Sequence, residues 1–251
     1  TLVLVIGETA RWKNFGLNGY IRNTTPLLSQ TSNVISYSHV VTQANLTSNS
    51  IPLILTRANA INTDLADTEK SISEAFSEAG FNTSWITAQE VSTYQERIIN
   101  TCDNSFQQSK LITTEHLYDT DMIPIIDSIL KTSNHSNFMV IHTQGSHFRY
   151  NQRYPSQYEI FKPSFDNSMD FTSITSENAE YLMNAYDNSI LYTDFFLSSL
   201  INDLNARCPI WSMIYLSDHG ENIFDDERNI VLHGSLIVTE YEVHIPFIVA
   251  Y

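Results

Sequence analysis

The sequence predicts an α/β fold: a mainly parallel sheet sandwiched between helices. Three observations carry that expectation. The runs at residues 2–6, 138–141 and 214–216 are continuously apolar, as strands buried on both faces are. Helical patterns separate them, and parallel strands need such crossover connections. Each run stops abruptly at glycine or at ligand-type residues (Gly7-Glu8, His142, Ser217-Asp218-His219), and sites in open α/β sheets are built at the carboxyl edge.

At 251 residues and 42% hydrophobic, the chain can bury a substantial core, and residues 1–251 are expected to form a single domain. Against 28 Asp+Glu stand only 13 Lys+Arg, a net charge of −15. That balance disfavours nucleic acid and offers no polybasic membrane patch. No apolar run approaches the roughly 18 residues that span a bilayer. The chain opens within one strand-like run and closes within another (residues 246–250), so it is expected to be a domain of a longer protein. Cys102 and Cys208 are compatible with one bridge or two free thiols.

In chain order, residues 2–6 form the first strand, and Gly7 is expected to turn the backbone so that Glu8 sits at the sheet edge. Glu8 reads as a metal ligand, with an N-cap for the next turn as the alternative. Thr25-Pro26 marks a helix start, with proline at the first helical position. Residues 34–41 alternate like a half-buried strand. The hydroxyl-rich stretch Thr47-Ser48-Asn49-Ser50-Ile51-Pro52 reads as a helix N-terminus with Pro52 in its first turn. Such a terminus suits phosphate, or is an ordinary capping box.

Ile72, Ala75, Phe76 and Ala79, closed by Gly80, give another helix, and residues 81–87 the next strand. Asp119 or Asp121 is expected to cap a helix with Met122, Ile125, Ile126, Ile129 and Leu130 on its apolar face. Residues 137–142 are a strand followed by Gly145 and His147. Residues 150–175 form a polar, aromatic excursion near the site, and a long helix covers about residues 177–204. Residues 210–217 form the strand that delivers Asp218 and His219, and His233-Gly234 follows. The sequons at Asn23, Asn45, Asn82 and Asn134 carry no argument, because such triplets arise by chance in this composition.

Glu8, Asp218 and His219 offer the mixed oxygen and nitrogen donors that suit zinc, with a hydroxyl near Thr47 as the oxygen nucleophile. His147 and His233 complete the constellation.

The blocks Gly7-Glu8-Thr9-Ala10-Arg11, Leu17-Asn18-Gly19-Tyr20, Thr143-Gln144-Gly145-Ser146-His147, Tyr186-Asp187-Asn188-Ser189, Ser217-Asp218-His219-Gly220-Glu221 and Leu232-His233-Gly234 occur in the order of one known family. The chain resembles the phosphoethanolamine transferases that modify bacterial lipopolysaccharide, members of the alkaline phosphatase/sulfatase superfamily. The resemblance implies an alkaline-phosphatase-like fold in a single sulfatase-like catalytic domain, residues 1–251. It implies that Glu8, Thr47, Asp218 and His219 hold one tightly bound Zn2+ and that Thr47 becomes covalently modified. Thr47 is preferred over Ser48 and Ser50 because the family threonine stands five residues before a proline. His147 and His233 would bind substrate phosphate or a second zinc and donate a proton to the leaving alcohol.

The donor so implied is phosphatidylethanolamine and the acceptor lipid A or lipopolysaccharide core. The setting is the periplasmic face of the inner membrane, reached through an N-terminal transmembrane region outside this sequence. A monomer is expected. Three features depart from the family pattern: two cysteines cannot supply its several disulfides, Phe148-Arg149-Tyr150 replaces small residues, and Ala88-Gln89-Glu90 receives no role. Rival expectations are a related phosphodiesterase or glycerol-phosphate transferase of the same superfamily, or a binding domain without catalysis. A sulfatase would need an arginine that Ser50-Ile51-Pro52-Leu53-Ile54 lacks.

Overall fold

The computed structural model describes residues 1–107, 117–133, 135–166, 168–169 and 174–251. The strands are β1 (Leu2–Gly7), β2 (Val34–Tyr37), β3 (Asn82–Thr87), β4 (Asn104–Gln107), β5 (Asn137–His142), β6 (Ser212–Ser217), β7 (Asn222–Ile223), β8 (Val231–Leu232) and β9 (Phe247–Ala250). The helices are α1 (Thr47–Leu55), α2 (Leu65–Thr68), α3 (Ile72–Glu78), α4 (Thr93–Ile99), α5 (Ile123–Thr132), α6 (Ala179–Arg207) and α7 (Glu240–Val243).

A seven-stranded sheet runs in the order β2-β9-β6-β1-β5-β3-β4, and β7 and β8 form a separate hairpin. From β6 to β4 the pairing is parallel, while β9 is antiparallel to both β6 and β2. Alternation along the central strands splits the core in two. Val3, Val5, Met139, Ile141, Met213 and Tyr215 pack with Ile126 and Ile129 of α5 and with Leu182, Ile190 and Leu197 of α6. Leu4, Ile6, Phe138 and Val140 point the other way, against Ile51 and Leu55 of α1 and Ile98 and Ile99 of α4. Helices thus cover both faces, as continuously apolar strands require.

Three local expectations are corrected. Gly7 does not take a left-handed turn; a Cβ there would lie 2.5 Å from the Tyr215 hydroxyl, so glycine is needed for close approach. The turn is made by Thr9, at φ 62°. Thr25 caps no α-helix: its hydroxyl accepts from Leu17 N, and the buried Asp194 carboxylate accepts from Leu27 N and Leu28 N to shape a short 3-10 turn. Pro52 lies inside α1, whose first residue is Thr47.

Of the alternatives Asp119 and Asp121, Asp121 accepts from Tyr118 N at 2.8 Å at the head of the turn leading into α5, whereas no cap is made by Asp119. Asp119 opens that 3-10 turn ahead of α5, and its carboxylate accepts from Gln144 N at 2.7 Å and Gly145 N at 3.0 Å. Burial pushes Asp119 up to about 6, against these N–H donors, which favour the anion. Asn134 and part of the 150–175 excursion lie outside the described residues. Both cysteines are free thiols.

Asp119 pins the loop that follows β5, so Asp119→Ala should cost about 1–3 kcal/mol, the usual penalty for orphaned buried donors. Urea denaturation measures this; an unchanged midpoint would show that the loop is held by other contacts.

Candidate metal centre

The parallel register sets three chain segments side by side. Because β1 lies between β5 and β6, the residues after all three strands emerge together at the carboxyl edge. Backbone bonds continue the ladder past the strands: Thr143 N donates to Ile6 O at 3.1 Å, Asp218 N to Gly7 O at 3.0 Å and Ser146 N to Glu8 O at 2.9 Å. Gly145 is required here, since at φ +50° a Cβ would sit 2.7 Å from Glu8 O.

Thr9 is β-branched, and its left-handed conformation costs about 1–3 kcal/mol unless neighbours over-determine it. They do. Thr9 N donates to Asp218 Oδ1 at 3.1 Å, Thr9 Oγ1 to Glu8 Oε1 at 2.6 Å, and the Tyr186 hydroxyl to Thr9 O at 2.8 Å. The strain buys a carboxylate turned into the cleft.

Glu8, Asp218 and His219 are fully buried, and each offers one ligand atom within 4.8 Å of the others. Glu8 Oε1 and Asp218 Oδ2 lie 3.3 and 3.4 Å from His219 Nε2. Thr47, at the N-terminus of α1, places Oγ1 3.2 Å from both Glu8 Oε2 and His219 Nε2. The Gly220 carbonyl, 2.8 Å away, can only accept, so His219 Nδ1 carries a proton and Nε2 is turned to the cluster.

The donor set fits a zinc-like dication. Asp218 Oδ2 is buried without a hydrogen-bond partner, and it points into the cluster. Burial and then the charge of Glu8 push Asp218 up to about 7. Burial would raise Glu8 as well, but the hydrogen bond and charge of His219 outweigh it and hold that carboxylate well below the usual range. Burial alone would lower His219; the two carboxylates prevail and raise it to about 10. Two buried carboxylates thus hold a proton at the nitrogen a metal would take.

His233 stands beside this cluster, its ring 4.2 Å from that of His219. Its Nδ1 lies 3.1 Å from Oε1 of the buried Glu221, whose Oε2 accepts from the Tyr150 hydroxyl at 3.0 Å. His147 is exposed and more distant, 6.5 Å from the His233 ring, with Nδ1 donating to Phe148 O at 2.7 Å. The other histidine at a strand end, His142, is pushed down to about 4 by burial, against the charge of Glu8, and its Nδ1 lies 3.3 Å from Gln95 Nε2.

Sequence reasoning missed three contacts. Gln89 Nε2 donates to Glu8 Oε2 at 2.8 Å and to Thr143 O at 2.7 Å. Its position two residues after β3 was the available signal, since that strand ends at the same sheet edge. Glu221 stood inside a quoted block but received no role. Tyr150 counted only as a departure.

A family model described as Sulfatase matches residues 1–251. Phosphoethanolamine transferase EptC of Escherichia coli (strain K12) is 33% identical over 236 residues, covering 90% of this chain and 40% of that protein. This chain therefore spans less than half the length of that relative. The crystal structure of the C-terminal periplasmic domain of Escherichia coli EptC in complex with Zn superposes with a TM-score of 0.87 at 28% identity, covering 99% of this chain and 72% of that one. The integral membrane protein lipooligosaccharide phosphoethanolamine transferase A from Neisseria meningitidis gives 0.84 at 27% identity, with 99% and 47% covered. A Vibrio parahaemolyticus protein of the alkaline phosphatase superfamily, at 16% identity and a TM-score of 0.69, covering 99% of this chain and 59% of that one, shares the fold. With a match over its whole length and an alkaline-phosphatase-like sheet, the chain belongs to the sulfatase family, in its phosphoethanolamine transferase branch.

Proposed function

We propose that this chain is the catalytic domain of a zinc-dependent transferase. It would move phosphoethanolamine from phosphatidylethanolamine, through a covalent Thr47 intermediate, to lipid A or the lipopolysaccharide core. The observation that carries this reading is the approach of Thr47 Oγ1 to Glu8 and His219, 3.2 Å from each. A hydroxyl against a buried anionic cluster supports a nucleophilic role, and helix capping does not account for it, since the N-cap residue is Leu46.

Glu8, Asp218, His219 and Thr47 would hold the zinc. When bound, it supplies positive charge that eases loss of the Thr47 proton and offsets charge on the phosphoryl oxygens. The protein does the rest. Thr47 Oγ1 attacks phosphorus in line, the bond to the diacylglycerol oxygen breaks, and an acceptor oxygen later displaces the phosphoethanolamine from Thr47. The backbone N–H groups of Thr47 and Ser48 precede the first intrahelical bonds of α1, made by Asn49 N and Ser50 N to Leu46 O, and would be offered to the anionic group. Glu221 orients His233 through Nδ1, which leaves Nε2 to serve the leaving oxygen as a proton donor. His147, similarly fixed through Nδ1, serves substrate phosphate or a second zinc. Likeness to phosphoethanolamine transferases supports the group transferred, and likeness to a periplasmic domain and to an integral membrane transferase supports action at the periplasmic face of the inner membrane. Among the described residues no helix is long and apolar enough to cross a membrane, so attachment would come from a further region.

Intact-mass measurement after incubation with phosphatidylethanolamine should find one phosphoethanolamine on the protein and none on Thr47→Ala. An adduct that persisted would relocate the nucleophile, and one formed only from phosphatidylglycerol would favour glycerol-phosphate transfer. His233→Ala should lower turnover about 10²–10⁴-fold, as loss of a general acid does.

Zinc must displace the His219 proton. Because that group is raised to about 10, the proton is present throughout the neutral range and is released on binding. Affinity should therefore climb with pH, about tenfold per unit between roughly pH 7 and 8, and more steeply below that, where the Asp218 proton must leave as well. Calorimetry in buffers of different ionisation enthalpy should register the released proton; a pH-independent affinity would remove His219 from the ligand set.

A further inference from the structure

Single apolar side chains scattered over a surface are ordinary, whereas grouped ones mark a contact. Two exposed tips here are each tied to the stretch that leads to the nucleophile. Leu236, Ile237 and Val238 stand 103%, 71% and 53% exposed in an unbroken row. Ile61, 99% exposed, crowns a turn closed by reciprocal backbone bonds between Asn59 and Asn62.

Both tips are tied to the short stretch that runs into Thr47. Gln43 Oε1 accepts from Ala60 N at 3.0 Å, beside Ile61. Asn45 Nδ2 donates to Ser235 O at 3.1 Å and to Glu242 Oε1 at 2.9 Å, beside Leu236. The second tip is also braced from within. The buried Glu242 carboxylate accepts from Ser235 N at 3.0 Å, Ser235 Oγ at 2.6 Å and Thr239 N at 3.0 Å. The backbone is thereby held in a shape that presents the three apolar side chains outward. Residues 58–63 and 232–239 contain no acid, in a chain with 28.

We propose that Ile61 and the 236–238 tip form a two-pronged apolar foot that enters the surface of a lipid bilayer and sets Thr47 at headgroup depth. The proposal rests on the reading of a lipid donor given above. With a net charge of −15 the chain is repelled by anionic surfaces, so the favoured surface is zwitterionic and the attachment apolar, insensitive to salt.

Flotation of the 251-residue chain with phosphatidylcholine/phosphatidylethanolamine vesicles, at low and high salt, tests this. Ile61→Ser combined with Leu236→Ser and Ile237→Ser should lower vesicle binding about tenfold or more. Tm and hydrolysis of a soluble phosphodiester should stay as in the unsubstituted chain, because these side chains touch neither core nor cleft. In a separate variant, Ile237→Trp, indole emission should shift to the blue on adding vesicles. Binding undiminished in the triple variant would overturn the proposal. So would self-association of the chain that the triple variant abolishes, since the foot would then join two copies. The two readings fail separately. Tip-dependent vesicle binding without a Thr47 adduct sinks the lipid donor alone, and an adduct with tip-independent binding sinks the foot alone.

Discussion

The structure depends on one electrostatic constraint: two carboxylates, Glu8 and Asp218, are buried at the edge of the sheet around a single imidazole. Taking each charge out of water costs several kcal/mol, so such a pair persists only where cationic charge and N–H or O–H donors offset the cost. His219 supplies the charge, and Thr9, Gln89 and the His219 backbone supply donors. One acceptor, Asp218 Oδ2, stays without a hydrogen bond. An acidic cluster that is fully buried, mostly satisfied and open at one oxygen is organised for a cation.

The topology makes this affordable. A strand flanked on both sides by parallel neighbours brings three chain ends to one edge, and β1, between β5 and β6, does so here. The site is consequently built from backbone held by ladder hydrogen bonds and not from free loops. Connecting segments enter at its rim: the turn before Thr47, the β7–β8 hairpin followed by His233, and the loop with His147. The rim is also tied down, because Arg11, buried and hydrogen-bonded to Asp225 at 2.6 Å and to Glu221 O at 3.2 Å, links the end of β1 to the hairpin. The same segments that position the chemistry thus carry the contacts that a substrate or surface would meet.

Much of this was legible in the residues. The continuous apolar runs announced the strands, and their abrupt ends announced Glu8, Asp218 and His219. Strand and helix boundaries fell within a few residues of expectation, the long α6 among them. The misplaced features share a cause. Thr25-Pro26 has the local signature of a helix start, yet Asp194, far along the chain, satisfies the backbone donors of a shorter turn. Gly7 looked like a hinge and is instead a gap for Tyr215. Of the two candidate caps, Asp121 accepts the capping bond from Tyr118 N, while Asp119 pins a loop instead.

Periodicity and residue chemistry operate over a few neighbours, so the sequence by itself determined which segments are buried strands, which are helices, and which polar residues stand at strand ends. Glu8, Thr47, Asp218 and His219 were nameable on those grounds and through family likeness. Partners separated by dozens or hundreds of residues leave no local trace. Only the tertiary structure decided that Gln89 touches Glu8, that Glu221 orients His233, that His147 lies farther out beyond His233, and that two apolar tips are tied to the stretch before Thr47. The physical reason is register: when β1, β5 and β6 align side by side, each strand end acquires neighbours that no pattern along the chain encodes.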